Sequence, residues 1–184
     1  MDRLTLNVAG LLQDVSGTLR CHEIEGFLPN WRDISLVTPI EGTIELARAG
    51  KGIVVRSDLH ATIELLCCRC LDAFDEDVLI QFEEMYYPVF DLATGKAIRL
   101  DHDDIDSEFL IESVDRLDLS EAVRQYIEIG QPLMPRCQPD CLGICPECGG
   151  DRNNSFCRCV DETPDVRLAP LQDMLQKMGQ ERPA

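Results

Sequence analysis

Two cysteines two residues apart, followed at once by a glycine, set the first limit on this chain. Cys145-Pro146-Glu147-Cys148-Gly149 puts two thiols where one turn can aim both at a single ion. The glycine allows the positive φ that such a turn needs. Cys157-Arg158-Cys159 follows shortly after, past Asn153-Asn154, a pair suited to a reversing turn. Four thiolates form the tetrahedral all-sulfur set that zinc accepts in closed structural sites. Close thiol pairs in a polar loop are poor core material, so packed free thiols are the weaker account. The expectation is one zinc at Cys145, Cys148, Cys157 and Cys159.

The chain holds ten cysteines, and two further pairs remain. Cys67 and Cys70 lie in Cys67-Cys68-Arg69-Cys70-Leu71, at the end of an expected strand. Cys137 and Cys141 lie between Pro135 and Gly143. Together they can supply a second zinc site, tying the sheet to the C-terminal segment over a long closure. Spacing alone does not settle that pairing. Cys21 is expected to be a buried or idle thiol, and Cys68 a neighbour pointing away.

Clustered cysteines with no export signal point to a reducing compartment, where they bind metal in preference to forming disulfides. The start MDRLTLNVAGLL lacks a basic region followed by a long apolar run, and no stretch approaches the roughly 20 apolar residues of a membrane span. A cytoplasmic protein without a membrane partner is expected. Thirty-four acidic against 17 basic residues give a net charge of −17. Nucleic-acid affinity comes mainly from Lys and Arg, so broad binding of bare RNA or DNA is disfavoured. Whether a local basic face touches RNA stays open. A basic protein is the natural complement, although the charge also serves solubility.

The first thirty residues read as a short strand followed by a helical turn. Trp31 is expected to be buried against the core. Residues 36–87 read as β-structure. Ile44 and Leu46 alternate with polar neighbours, Ala49-Gly50-Lys51-Gly52 is a hairpin turn, and Leu59, Ala61, Ile63 and Leu65 share one face. Val78, Ile80 and Phe82 form a third apolar row. Residues 101–121 form an acidic loop region offset only by Arg116. A helix near 118–130 is capped by Asp118 or Ser120, lined by Ala122, Val123, Tyr126, Ile127 and Ile129, and ended by Gly130 and Pro132. A last short helix is expected near Pro170 to Met178.

These elements give an α+β chain: a small antiparallel β-sheet or partial barrel, a few helices and a C-terminal zinc-bound segment. The expected division is a mainly β domain over residues 1–132 and a cysteine-rich part over 133–184, packed on the first. Catalytic machinery is not evident. Of three histidines, His60 is a strand residue, His102 sits in the acidic loop, and His22 has no evident partner. No P-loop, G-x-S-x-G or G-x-G-x-x-G pattern occurs. A redox use of Cys67 and Cys70 is the enzymatic alternative, yet it asks for a βαβ setting where the flanks read as β. Cys141-x-x-x-Cys145-x-x-Cys148 has the spacing of radical S-adenosylmethionine enzymes, but too little chain follows to build their barrel.

Several segments, in order, carry a resemblance. They are Cys67-Cys68-Arg69-Cys70-Leu71, Asp118-Leu119-Ser120-Glu121-Ala122-Val123, Pro132-Leu133-Met134-Pro135 and Cys141-Leu142-Gly143-Ile144-Cys145-Pro146-Glu147-Cys148-Gly149. With Asn154, Cys157-x-Cys159 and Arg167-Leu168-Ala169-x-Leu171, the chain resembles the YceD family of large ribosomal RNA subunit accumulation proteins. The resemblance implies a role in accumulating large-subunit ribosomal RNA and no catalytic residues. It also implies a site at Cys67 and Cys70 separate from the Cys145 cluster, with Cys68 competing as ligand at the variable position. In this family the gene often neighbours that of a small zinc-ribbon protein of the large subunit. A basic ribosomal protein of this kind is therefore the expected partner. A zinc-bearing nucleic-acid regulator is the further alternative, and the acidity argues against it.

Overall fold

A computed structural model describes residues 3–90, 109–111, 116–154, 157–159, 166–168, 170–171 and 174–175. In chain order the elements are strand β1 (Thr5–Asn7), helix α1 (Ala9–Gln13), β2 (Leu19–Phe27), β3 (Ile40–Ala49), β4 (Gly52–Leu66), β5 (Ala73–Pro88), β6 (Leu110–Ile111), β7 (Arg116–Asp118) and helix α2 (Ser120–Gly130). A 3-10 turn, Val166–Leu168, follows. The chain is thus mostly β-sheet with two helices described in full, an α+β arrangement.

Strands β2, β3, β4 and β5 pair antiparallel in that order, and β6 adds a short parallel pair with β5. The β3–β4 turn follows from its residues. Ala49 faces Gly52, and Gly50 takes φ 52°, which glycine adopts freely in a two-residue hairpin loop. Along β4 the alternation buries Leu59, Ala61 and Ile63. Leu59 faces Ile80 and Ala61 faces Val78 on β5, so the apolar rows of both strands line one face. At full burial each Leu, Ile or Val of these rows contributes about 2 kcal/mol.

Helix α2 closes that face. Val123 and Ile127 are buried, Tyr126 stacks on Phe82 at 4.7 Å, and its hydroxyl donates to Glu84 at 2.6 Å. A Cβ at Gly130 would lie 2.8 Å from Val78 Cγ1, so the last turn approaches the sheet where only glycine fits. Ile129, expected in the apolar stripe, is exposed instead. The helix start also differs from expectation. Asp118 accepts the Ser120 amide at 3.0 Å, but the Ser120 hydroxyl accepts the Leu4 amide at 2.7 Å and caps nothing in its own helix. That bond belongs with the β1–β7 pairing, where Leu6 faces Leu117.

Trp31 is half-buried, packs on the core and meets Phe27 edge-on at 6.3 Å. Cys21 is exposed, so it is not a buried thiol. Residues 101–108 and 112–115 of the acidic stretch, His102 among them, lie outside the described residues, as does most of the expected C-terminal helix. Pro170, Leu171, Met174 and Leu175 are helical. No helix among the described residues is long and apolar enough to cross a membrane.

The chain divides into two compact units, Met1–Cys141 and Leu142–Ala184. Cys137 and Cys141 therefore belong with the sheet.

Candidate metal centres

In the first unit, the loop between β4 and β5 runs from Cys67 to Asp72. It folds as a tight knuckle. The Cys67 amide donates to Asp72 O at 2.9 Å and the Leu71 amide to Cys67 O at 3.0 Å. Leu71 takes φ 66°, the single non-glycine residue with positive φ among those described. This brings the Cys67 and Cys70 side chains round to one side. The arm carrying Cys137 and Cys141 is tied to the same loop. The Cys68 amide donates to Pro135 O at 2.8 Å, and Arg69 Nη1 donates to Cys141 O at 2.6 Å. Cys67 and Cys141 Sγ are 3.8 Å apart, and Cys70 and Cys137 Sγ 3.6 Å. Cys67, Cys70 and Cys141 are buried against Phe74, while Cys68 is exposed. Of Cys67 and Cys68, it is Cys67 whose sulfur joins the group with Cys70, Cys137 and Cys141.

The second unit repeats the knuckle. The Cys145 amide donates to Gly150 O at 2.8 Å, the Gly149 amide donates to Cys145 O at 2.9 Å, and Gly149 has φ 69°. Ile144 and Asp151 form an antiparallel bridge below it, and the Arg152 amide donates to Gly143 O at 2.9 Å. Asp151 accepts from the Asn153 amide and from the side chains of Asn153 and Asn154. Asn153 Oδ1 in turn accepts the Leu142 amide at 2.8 Å. The expected turn at Asn153-Asn154 is thus organised by a carboxylate, Asp151. Cys157 Sγ lies 3.3 Å from that of Cys145 and 3.6 Å from that of Cys148.

In each tetrad the four sulfurs lie within 4.8 Å of one another. Zinc–sulfur bonds of about 2.3 Å in a tetrahedron put sulfurs about 3.8 Å apart. The spacings fit a single ion with small adjustments, so both tetrads can hold a metal ion. The surrounding amides already favour charge on one sulfur in each. The amides of Cys70 and Cys137, with that of Arg69, bring the Cys67 thiol down to about 6 against its burial. The amides of Cys148 and Glu147, and then the Cys157 thiol, bring Cys145 down to about 7. Cys159, crowded by Cys157 and Cys148 and partly desolvated, is pushed up to about 12. An uncompensated tetrad therefore resists holding four negative sulfurs, and a divalent cation supplies the missing charge.

All eight cysteines singled out from sequence fall into these two groups, in the expected fours. The roles of Arg69, which bonds the Cys141 carbonyl, and of Leu71, which takes the positive φ, have no signal in the motif by itself. Laying the two knuckle sequences side by side finds Leu71, which occupies the place of Gly149.

Comparison with known proteins adds the following. The chain is 25% identical over 162 residues to a chloroplastic Arabidopsis thaliana protein named large ribosomal RNA subunit accumulation protein YCED homolog 1, covering 78% of this chain and 50% of that one. It is 28% identical over 141 residues to uncharacterized proteins of Mycobacterium bovis and Mycobacterium tuberculosis, covering 72% of this chain and 60% of theirs. The chain therefore spans between half and three-fifths of the length of these relatives. No solved structure matches it. The family described as large ribosomal RNA subunit accumulation protein YceD matches residues 55–175, from β4 through both tetrads and about two thirds of the chain, and this chain belongs to it.

Proposed function

We propose that this chain is a non-catalytic, zinc-binding accessory factor that supports accumulation of large-subunit ribosomal RNA by binding a basic ribosomal protein in the cytoplasm. The observation that carries most weight is the pair of all-sulfur tetrads in a chain of this family. Zinc is the metal such sets favour, and four protein ligands leave no open position for a substrate. Asp and Glu outnumber Lys and Arg by two to one, which favours a cationic protein over bare RNA as the direct partner. A small basic zinc-ribbon protein of the large subunit is the first candidate.

Elemental analysis of the purified chain should give two zinc ions per chain. Cells lacking the protein should accumulate less large-subunit ribosomal RNA, and the wild-type chain should restore it. Absence of zinc, or unchanged ribosomal RNA in the deletion, would refute the corresponding half of the proposal. The partner is tested by titrating the basic ribosomal protein against wild type and a variant with Asp103, Asp104 and Asp106 changed to Asn. Affinity should fall in the variant and with added salt. Tighter binding by ribosomal RNA alone would point instead to an RNA-contacting role.

A further inference from the structure

The two tetrads share their chemistry but not their shelter. In the first, Cys67 and Cys141 have no exposed surface, Cys70 has 5%, and Cys137 alone is exposed. In the second, Cys148 and Cys159 are exposed, Cys157 is half-buried, and Cys145 alone is buried. Among the residues of Leu142–Ala184 whose burial is described, no other side chain is buried; Leu142, Ile144, Leu168, Leu171, Met174 and Leu175 all face solvent. The second unit thus has no apolar core among those residues, and its sulfur tetrad holds their one buried side chain, beside the hydrogen bonds of Asp151. Thiolates that solvent reaches are the ones oxidants reach.

We infer that Cys148 and Cys157 form a peroxide-reactive pair, and that their oxidation empties the second metal site while leaving the first intact. The proposal rests on zinc occupying both tetrads. The chemistry balances as follows. The Cys148 thiolate attacks one oxygen of hydrogen peroxide; an S–O bond forms, the O–O bond breaks, and hydroxide leaves. The Cys157 thiolate, 3.6 Å away, then attacks the sulfenic sulfur. The S–S bond forms, the S–O bond breaks, and a second hydroxide leaves. Both hydroxides take protons from solvent and end as water. Two electrons pass from the two sulfurs to the peroxide. Two of the four sulfur ligands are consumed, and Cys145 and Cys159 alone are too few to hold zinc. Cys157 and Cys159 are a poorer pair, because one intervening residue leaves little room for relaxed disulfide geometry.

The consequence is a switch confined to one unit. Oxidation empties the tetrad of Leu142–Ala184, whereas Met1–Cys141 keeps its sheet, its apolar core and its own tetrad. A dithiol reductant with zinc present reverses the step, since a disulfide is the reversible rung of the thiol oxidation ladder.

The test uses the full zinc-loaded chain and graded hydrogen peroxide. A chromogenic zinc reporter follows release, peptide mass mapping locates oxidised sulfurs, and limited proteolysis reads each unit. The first zinc equivalent should leave at least about 10-fold faster than the second, because the second tetrad exposes a neighbouring pair of thiolates and the first exposes Cys137 alone. A Cys148–Cys157 linkage should appear with it, cleavage within 142–184 should rise, and far-UV dichroism of the sheet should hold. Dithiothreitol with zinc should restore the starting state. A double variant, Cys21→Ser with Cys68→Ser, removes the exposed thiols outside the tetrads and should keep the fast phase. Loss of that phase, joint release of both ions, earlier oxidation of the first tetrad, or sulfinic acid in place of the disulfide would each overturn the inference. A chain purified with fewer than two zinc ions would instead remove the zinc assignment on which it stands.

Discussion

The two knuckles have nearly the same backbone and opposite relations to the rest of the fold. In both, the first cysteine's amide bonds a carbonyl five residues on, and its carbonyl accepts an amide four residues on. The residue at that fourth place has φ 66° in one and 69° in the other. Yet Cys67 follows a 15-residue strand and packs with Phe74, while Cys145 sits in a unit where Leu142, Ile144, Leu168, Leu171, Met174 and Leu175 face water. The first tetrad is an end-clamp on a sheet that already has a core. The second has no such core beside it among the described residues. Local bonding dictates how a knuckle is shaped, and burial dictates how much of the molecule depends on it.

The largest test of that contrast is removal of one ligand from each tetrad. Cys70→Ser leaves a buried polar group among thiols that have lost their ion. It should cost the first unit on the order of 5 kcal/mol, a large share of an ordinary domain's stability, and lower bound zinc by at least one ion per chain. Cys148→Ser should also lower zinc by about one, but shift the thermal midpoint of the sheet by less than the equivalent of ~1 kcal/mol. Dichroism melts with metal analysis check both. Equal losses of sheet stability in the two variants would end the distinction. Chelation should act in the same order, emptying the exposed tetrad first.

How much of this was legible in the sequence follows from where each signal is local. The cysteine pairs, the Gly50 turn and the alternation through Leu59–Ile63 and Val78–Phe82 were readable, because spacing alone encodes a knuckle, a hairpin or a half-buried strand. Strand β2 was not read. Its inward positions, set by pairing with Leu46, Ile44 and Gly42, hold Arg20, His22 and Ile24, so the apolar alternation is broken. A bulge near Gly26, φ 68°, breaks it again. The parallel β5–β6 pair and the β1–β7 pair join residues far apart in the chain, which no local pattern reports. Ser120 looked like a cap by residue type, and only the approach of Leu4 gives its hydroxyl another use. The grouping of Cys67 and Cys70 with Cys137 and Cys141 was suggested by elimination and family pattern, and it needed the fold to bring the pairs together.

A smaller effect separates the knuckles by their fourth residue. A leucine held at φ 66° carries backbone strain of roughly 1–2 kcal/mol that a glycine avoids. Leu71→Gly removes that strain but frees the unfolded chain, so its net gain should be under ~1 kcal/mol. Gly149→Ala introduces the strain where a Cβ meets nothing within 4 Å, so the whole cost is conformational, about 1 kcal/mol. Zinc affinity of the second tetrad should fall by roughly fivefold to tenfold, read by competition with a chelator of known affinity. An unchanged affinity in Gly149→Ala would show that the second knuckle is already formed before the metal binds, with the strain present in both states.

The smallest expected effect concerns the first unit alone and asks whether its stability outside the tetrad is real. Arg124 on α2 reaches Asp33 at 2.6 Å, Glu121 at 2.6 Å and Glu128 at 2.8 Å, fastening the 28–36 loop to the helix. Such pairs lie near the surface, so water screens them, and Arg124→Gln should cost only about 0.5–1 kcal/mol. Arg124 holds the Glu121 carboxyl below the ordinary glutamate range. A carboxyl lowered in the folded state adds stability above its unfolded pKa, and that stability is lost as pH falls through the folded value. The gap between wild type and Arg124→Gln should therefore hold steady from about pH 5 to 8 and narrow below about pH 4. It should also shrink in 1 M salt, where the screening length is about 3 Å. Zinc in the second tetrad should be unaffected throughout, because Cys145, Cys148, Cys157 and Cys159 belong to the other unit. Urea titrations at each pH and salt, read by tyrosine and tryptophan fluorescence, make the comparison. A gap that survives high salt undiminished would assign Arg124 to packing instead of charge. A loss of zinc from the second tetrad in this variant would show that the two units are coupled, against the independence argued from their burial.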